Sequence, residues 1–405
     1  METEIAGWLS IVFRFVHVLA AIMWIGNSIL FTWMELNMIP PKSTEKEPDP
    51  DLIGHLDMLH GGGVFHLEKR VIKPTAIPVP LHWFMWQSYT TWISGILLLI
   101  TVYYVGGGSA LLDATKTNLS GLSAIGLSIG GLVGWWLIYD MIWNSKLKEH
   151  LLPAFILTFS LILTAAYFYN QVFNGRSVYL QIGVMMGSAM SANVFFHIIR
   201  NQKKFMASLL AGLPHDLKYG KQAKLRSLHN HYMTFPVLFM MLSAHSPQLT
   251  SASQNVAILG VIILGLMIVK YLMNSRYHFR HWLAAIFGTF FLTCGLIGTL
   301  LMVPDAKASA AAPEVFEGSQ LFVSQGCAAC HQMGSGQIAP DLHGVFGSVQ
   351  ILSDGSKVLA DETYLKTSIN QPQSQVVKGY AAAMPSYGHL SESQVAQLID
   401  YIKSL

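Results

Sequence analysis

Apolar residues run almost unbroken through eight stretches of the first three quarters of the chain: residues 5–33, 82–104, 122–143, 152–173, 178–200, 229–247, 255–273 and 282–302. An α-helix needs about 20 such residues to cross the ~30 Å hydrocarbon layer of a bilayer, so each stretch predicts a spanning helix. The sixth has the shortest apolar core, because Pro236 and flanking histidines interrupt it. Without it the two ends of the helical region would lie on opposite sides of the membrane. The first stretch follows two acids and no Lys or Arg. It therefore lacks the basic start of a cleavable signal peptide and reads as a span.

The pattern changes beyond residue 303. Small residues from Pro304 to Pro313 form a linker, and the remainder reads as a compact soluble domain. Within it, helices are predicted over 314–325 and 391–404, the latter opened by Ser391-x-x-Gln394 as a capping box. The expected architecture is all-α: a polytopic bundle of about eight transmembrane helices over 1–303, a linker over 304–313, and a small α-helical domain over 314–405.

Composition sharpens this picture. A chain of 405 residues that is 52% hydrophobic and 12% charged is a membrane protein with a soluble tail. Residues 1–305 carry 20 Lys+Arg against 14 Asp+Glu, and 306–405 carry 5 Lys against 8 acids. Neither half has the basic surface of a nucleic-acid binder. The connections 34–81, 144–151, 201–228 and 274–281, with helix-end residues Arg200 and Lys270, hold 17 Lys+Arg; the opposite connections hold Lys116 and Arg176 alone. By the positive-inside rule the amino terminus and the tail lie on the outer, periplasmic side of a bacterial inner membrane.

Two of the three cysteines stand in Cys327-Ala-Ala-Cys330-His331. Two thiols three positions apart can each join a vinyl group of a haem, and the histidine behind them meets the iron. Such attachment takes place outside the cytoplasm, in agreement with the charge asymmetry. Cys294, in an apolar run, reads as a small packing residue, and no disulfide framework exists. This motif, Ala339-Pro340-Asp-Leu-His-Gly-Val-Phe-Gly347, Ala383-Met384-Pro385-Ser-Tyr-Gly388 and the two terminal helices resemble small class I cytochromes c. The resemblance implies His331 as proximal ligand, Pro340 as the carbonyl that orients its ring, and Met384 as distal ligand. Met333 is too close to His331 to reach the other haem face, whereas His343 or His389 would make a bis-histidine haem of lower potential.

In the first span Arg14, His17, Trp24, Asn27 and Ser28 share one helical face. A buried ionisable residue in a span is expensive and often functional. His17 reads either as a hydrogen-bonding packing residue or as an axial ligand of a non-covalent haem b. Eight further histidines, His60, His66, His82, His197, His229, His231, His278 and His281, fall at the inner side, and His245 at an outer end. Among them lie Leu81-His-Trp-Phe-Met-Trp-Gln-Ser-Tyr-Thr-Thr-Trp92 and Arg226-Ser-Leu-His-Asn-His-Tyr232, which offer stacking faces, a cation and amides to a flat anionic ligand. An interfacial aromatic belt explains the tryptophans equally well. His60-Gly-Gly-Gly63 lacks the Lys-Ser/Thr of a phosphate loop and reads as a loop.

His60-Gly-Gly-Gly63, Leu81-His-Trp-Phe, Tyr89-Thr-Thr-Trp-Ile-Ser-Gly95, Asn193-Val-Phe-Phe with Asn201-Gln-Lys203, Gly220-Lys-Gln-Ala-Lys with Arg226-Ser-Leu-His-Asn230, and Phe235-Pro-Val-Leu-Phe with Leu242-Ser-Ala-His245 resemble the membrane-bound bacterial urate oxidases fused to a cytochrome c. That resemblance covers nearly the whole chain. It implies oxidation of urate to 5-hydroxyisourate, with electrons leaving through the cytochrome toward a soluble cytochrome c or terminal oxidase. His60, His82, His229 and Asp140 are the expected proton-handling groups, Glu35 is a further possible acid, and Trp83, Gln87, Arg226 and Asn230 are the expected substrate contacts. A site at the inner face needs a relay at mid-depth, for which His17 is best placed, with His245, His82 or His281 opposite. Two rivals are an oxidoreductase for a quinol or another heterocycle, and a non-catalytic membrane-anchored cytochrome. The histidine cluster favours an enzyme, since an anchor needs one span.

Overall fold

The computed structural model describes residues 2–41, 49–71, 73, 81–113, 116–212, 217–243, 246–303, 313–331 and 339–405. His245, Met333 and most of the linker lie outside the described residues. The chain divides into two compact units, Met1–Met302 and Val303–Leu405.

The first unit is a helical bundle. Its elements are α1 (Glu2–Asn37), α2 (Trp86–Leu99), α3 (Gly121–Asn144), α4 (Leu151–Asn170), α5 (Gly175–Ala192), α6 (Ile199–Leu210), α7 (Leu217–Leu242), the single turn α8 (Pro247–Thr250), α9 (Asn255–Ser275) and α10 (Trp282–Leu301). Among the described residues six helices are long and apolar enough to cross a membrane: Ile5–Asn37, Gly121–Asn144, Leu151–Asn170, Gly175–Leu210, Asn255–Ser275 and Trp282–Leu301. The other two expected spans are helical but different in character. α2 continues through a π-helical stretch, Ile100–Tyr104. α7 begins at Leu217 and runs through Pro236, so residues 217–228, expected in a connection, are its first turns. A proline inside a helix is tolerated in a bundle whose neighbours re-satisfy the freed carbonyl.

The core lies where α3, α4, α5, α7 and α9 meet, around Trp135, Tyr139, Tyr179, Met186, Met240 and Ile263. α10 buries no residue, and its Phe287, Phe290, Phe291 and Leu292 face outward. In water such a patch would drive association, but against acyl chains it is the ordinary solvated face.

The segment read as a loop around His60-Gly-Gly-Gly63 is a β-hairpin. Strand β1 (Leu52–His60) pairs antiparallel with β2 (Gly63–Arg70). Gly61 and Gly62 both have positive φ, +61° and +81°, which is what a two-residue type I′ turn requires. Lys69 reaches Glu35 at 2.5 Å and joins the hairpin to the end of α1. This ion pair also occupies Glu35, one of the expected acids.

The second unit holds α11 (Pro313–Ser324), α12 (Cys327–Cys330), a small hairpin of β3 (Val349–Ile351) and β4 (Lys357–Leu359), α13 (Glu362–Asn370) and α14 (Glu392–Lys403). The capping box opens α14: Ser391 Oγ accepts from the Gln394 amide at 3.2 Å, and Gln394 Oε1 accepts from the Ser391 amide at 2.9 Å. α11 and α14 cross at Gly318, where an added Cβ would lie 2.0 Å from the Gln397 carbonyl oxygen. Because that neighbour is backbone, only separation of the helices could relieve the clash. Gly318→Ala is therefore expected to destabilise this unit by about 3 kcal/mol, read in guanidinium unfolding of the haem-loaded protein.

Candidate functional site

A buried polar network ties three helices of the first unit together. Each helix presents polar residues four positions apart, hence on one face: Asp140 and Asn144 on α3, Asn193 and His197 in the π-helical stretch Asn193–Ile198, and Arg226 and Asn230 on α7. π-helical turns re-aim side chains and recur at functional sites. Arg226 is fully buried. Its guanidinium donates to Asp140 at 2.7 Å, to Asn144 at 3.1 Å and to Asn193 at 3.4 Å, and it lies over the Tyr139 ring at 5.2 Å. His197 Nε2 meets the same Asp140 oxygen at 2.6 Å. The Asn193 amide donates to Tyr139 Oη and to Asn230 Oδ1, both at 2.9 Å, and Asn230 donates to the Met190 carbonyl at 2.9 Å.

Tyr139 Oη lies 2.7 Å from His229 Nδ1. Since Asn193 Nδ2 and Arg226 are donors, the tyrosine proton goes to His229 Nδ1. The neutral imidazole then carries its own proton on Nε2. His229 lines a cavity of about 230 Å³, several times the ~30 Å³ share of a water molecule. The walls are aromatic and aliphatic: Trp135, Tyr139, Trp143, Phe155, Phe159 and Tyr232, closed by Met186, Ile263 and Met267. The Trp143 and His229 rings meet edge-on at 4.0 Å, and Trp143 Nε1 donates to Thr158 at 3.1 Å. Trp135 Nε1 is buried and has no hydrogen-bond partner. Trp135 and His229 thus both contribute side chains to an aromatic, almost wholly apolar slot, which suits a flat ring system.

Four expected site residues, Asp140, Arg226, His229 and Asn230, converge here. The others do not join them. His60 flanks the hairpin turn and His82 precedes α2, both exposed; Trp83 is half-buried. Gln87 Oε1 is buried without a partner. Of the inner-side histidines, His66, His278 and His281 are exposed as well. Trp135, Tyr139, Asn193 and His197 were missed as site residues. Three polar pairs at i, i+4 in otherwise apolar or helical segments were the signal that could have found the network.

His17 packs against α2. Its Nδ1 donates to the Thr91 carbonyl at 2.8 Å, and Gly95 leaves room for the ring, since a Cβ there would lie 2.9 Å from His17 Cε1. A ring with Nδ1 held by a carbonyl keeps its lone pair on Nε2, the tautomer of an axial ligand. No second histidine contacts it among the described residues.

In the second unit His331 Nδ1 donates to the Pro340 carbonyl at 2.8 Å. His331, Cys327, Cys330, Pro340 and Met384 line one cavity of about 150 Å³ with Phe322, Val345, Tyr364 and Leu398 behind them. His343 is turned to Asp341 at 2.9 Å and His389 to Gln325 at 3.4 Å; neither lines this cavity. The donor set, two thiols, a carbonyl-oriented imidazole and a thioether in an apolar cleft, fits a covalently held haem.

Comparison with known proteins gives the same division. Residues 3–300 match the family model of the urate oxidase N-terminal domain, and residues 315–405 match the cytochrome c model. No curated protein matches the chain. The chain therefore belongs to the urate oxidase N-terminal family, as a membrane oxidoreductase whose carboxyl-terminal domain is a cytochrome c carrying haem c.

Proposed function

We propose that this protein oxidises urate to 5-hydroxyisourate in the Trp135–Tyr139–His229 cavity and delivers the electrons through its own haem c to a respiratory acceptor. The observation that carries the reading is the aromatic slot lined by Trp135, Tyr139 and His229, in a unit belonging to a urate oxidase family. Urate is planar and rich in carbonyl oxygens. Its oxidation adds the oxygen of one water to C5 and releases two electrons and two protons.

His229 donates from Nε2 to a urate oxygen, and Tyr139 holds the ring in that tautomer. Asn193 fixes Tyr139, while Arg226, neutralised by Asp140, keeps donors around the tyrosine oxygen. Trp135, Trp143 and Phe155 supply aromatic walls that limit bulk water. Asp140, about one quarter exposed and shared with His197, is the acid best placed to pass released protons outward. His331 and Met384 would hold the haem, which would supply one-electron acceptance at a potential raised by the thioether. The net acidic tail suits docking on a basic soluble cytochrome c or terminal oxidase.

In this reading the helical unit sits in the inner membrane with its basic connections inside and the cytochrome unit in the periplasm. About 30 Å of apolar layer then separates the two faces. His17 would hold a haem b that supplies a relay between them. Pyridine haemochromes of the purified protein should show haem b beside haem c; haem c alone would return His17 to helix packing. Under air, turnover should require an external acceptor and yield no peroxide. Stoichiometric peroxide would contradict the reading.

A further inference from the structure

The helical unit buries two cations, and their charges are met differently. Arg226 has Asp140 at 2.7 Å. Lys270 was counted on sequence as a helix-end residue facing the inner side, yet it is 2% exposed in the bundle. Among the described residues no carboxylate forms an ion pair with its ammonium, which lies over the Phe235 ring, 4.4 Å from the centroid. A cation–π contact offsets only part of the desolvation of a buried charge. An ionisable residue buried in a membrane bundle is expensive and is a functional-site candidate by default, and a buried cation without an acid calls for an anion to offset it.

The groups nearby complete a donor set. His231 on α7 is 7% exposed and feels the Lys270 charge. Its Nε2 meets the Asn274 carboxamide at 2.9 Å, one turn beyond Lys270 on α9. Its Nδ1 lies 3.5 Å from Thr32 Oγ1 on α1. An ammonium, an imidazole, a carboxamide and a hydroxyl, the last donating to the Ser28 carbonyl at 2.9 Å, thus gather from three helices without an acid among them. Lys270 and His231 are too enclosed for a phospholipid headgroup tied to two acyl chains, and the Phe235 ring beside the ammonium favours a flat ligand.

We propose that Lys270, His231, Asn274 and Thr32 form a binding site for a small planar organic monoanion, distinct from the Tyr139–His229 cavity. Two sources share this chemistry: an aromatic carboxylate, and the monoanion of an oxidised purine such as urate. The second identity rests on the proposed function; the site itself does not.

The test uses the full haem-loaded chain in nanodiscs of neutral lipid, anaerobic and with the haem reduced beforehand so that no turnover occurs. Thermal unfolding is followed against benzoate and against urate. Wild type should be stabilised saturably by both; Lys270→Met should bind benzoate about tenfold or more weakly and should lose one of two urate sites, the other being the Tyr139–His229 cavity. Lys270→Arg, which keeps the charge, should bind benzoate more tightly than Lys270→Met, and the exposed Lys357→Met should leave benzoate binding unchanged. Equal binding by wild type and Lys270→Met, or no binding by wild type, overturns the site. Weakening for benzoate alone upholds the site and removes urate as its occupant. Weakening for both in a chain whose haem urate cannot reduce upholds the site and overturns the proposed function. Should Lys270→Met fail to fold, Asn274→Leu is read instead, with the same outcomes.

Discussion

Replacing Cys327 and Cys330 by serine is expected to bring urate-dependent reduction of any external acceptor down to background. Without thioether bonds the haem has no covalent hold, and the cavity between His331 and Met384 loses the group it fits. The helical unit has its own core around Trp135, Tyr179 and Ile263, so it should still elute as a folded, detergent-solubilised species. A graded version keeps the haem and changes its potential. Met384→His exchanges the thioether for an imidazole and should lower the midpoint by on the order of 0.2 V. Redox titration checks the shift, and the rate of haem reduction by urate should fall with it. Unchanged potential in Met384→His would mean that another residue is the distal ligand.

Substituting His229 by phenylalanine is expected to lower kcat/KM for urate by about 10²- to 10³-fold, the usual effect of removing one preorganised donor from a closed site. The cavity stays aromatic, so binding of flat apolar ligands should persist. His229→Gln keeps an N–H donor and should recover part of the loss. Tyr139→Phe removes only the group that fixes the tautomer, and about a tenfold loss is expected. Its signature is a fall in kcat with KM little changed, because the substrate donor on His229 is kept and only its orientation is loosened. Full activity in His229→Phe would move the chemistry away from this cavity.

The parts of the molecule legible in the sequence are those set by local pattern. Apolar runs longer than a bilayer gave the spanning helices, Cys327 to His331 gave the haem, and Ser391-x-x-Gln394 gave the start of α14. What escaped depended on contacts between distant segments. Residues 217–228 look like a charged connection, yet Arg226 is buried because Asp140 and Asn144, over 80 positions away, receive its guanidinium. Lys270 sits within a few residues of the α9 terminus and was placed at the surface on that ground; burial against Phe235 is a tertiary fact. His60 attracted attention through its glycines, but those glycines serve a hairpin turn with positive φ. Trp135 reads in sequence like any belt tryptophan; its burial against a cavity is a tertiary fact.

The central claim, that urate gives its electrons to the chain's own haem, is tested most directly by anaerobic titration of the oxidised, purified full-length protein with urate. Two haems, haem c among them, are expected to become ferrous for each urate consumed, while His229→Phe reduces far more slowly. A haem c that stays oxidised with urate and is reduced by a quinol would contradict the account.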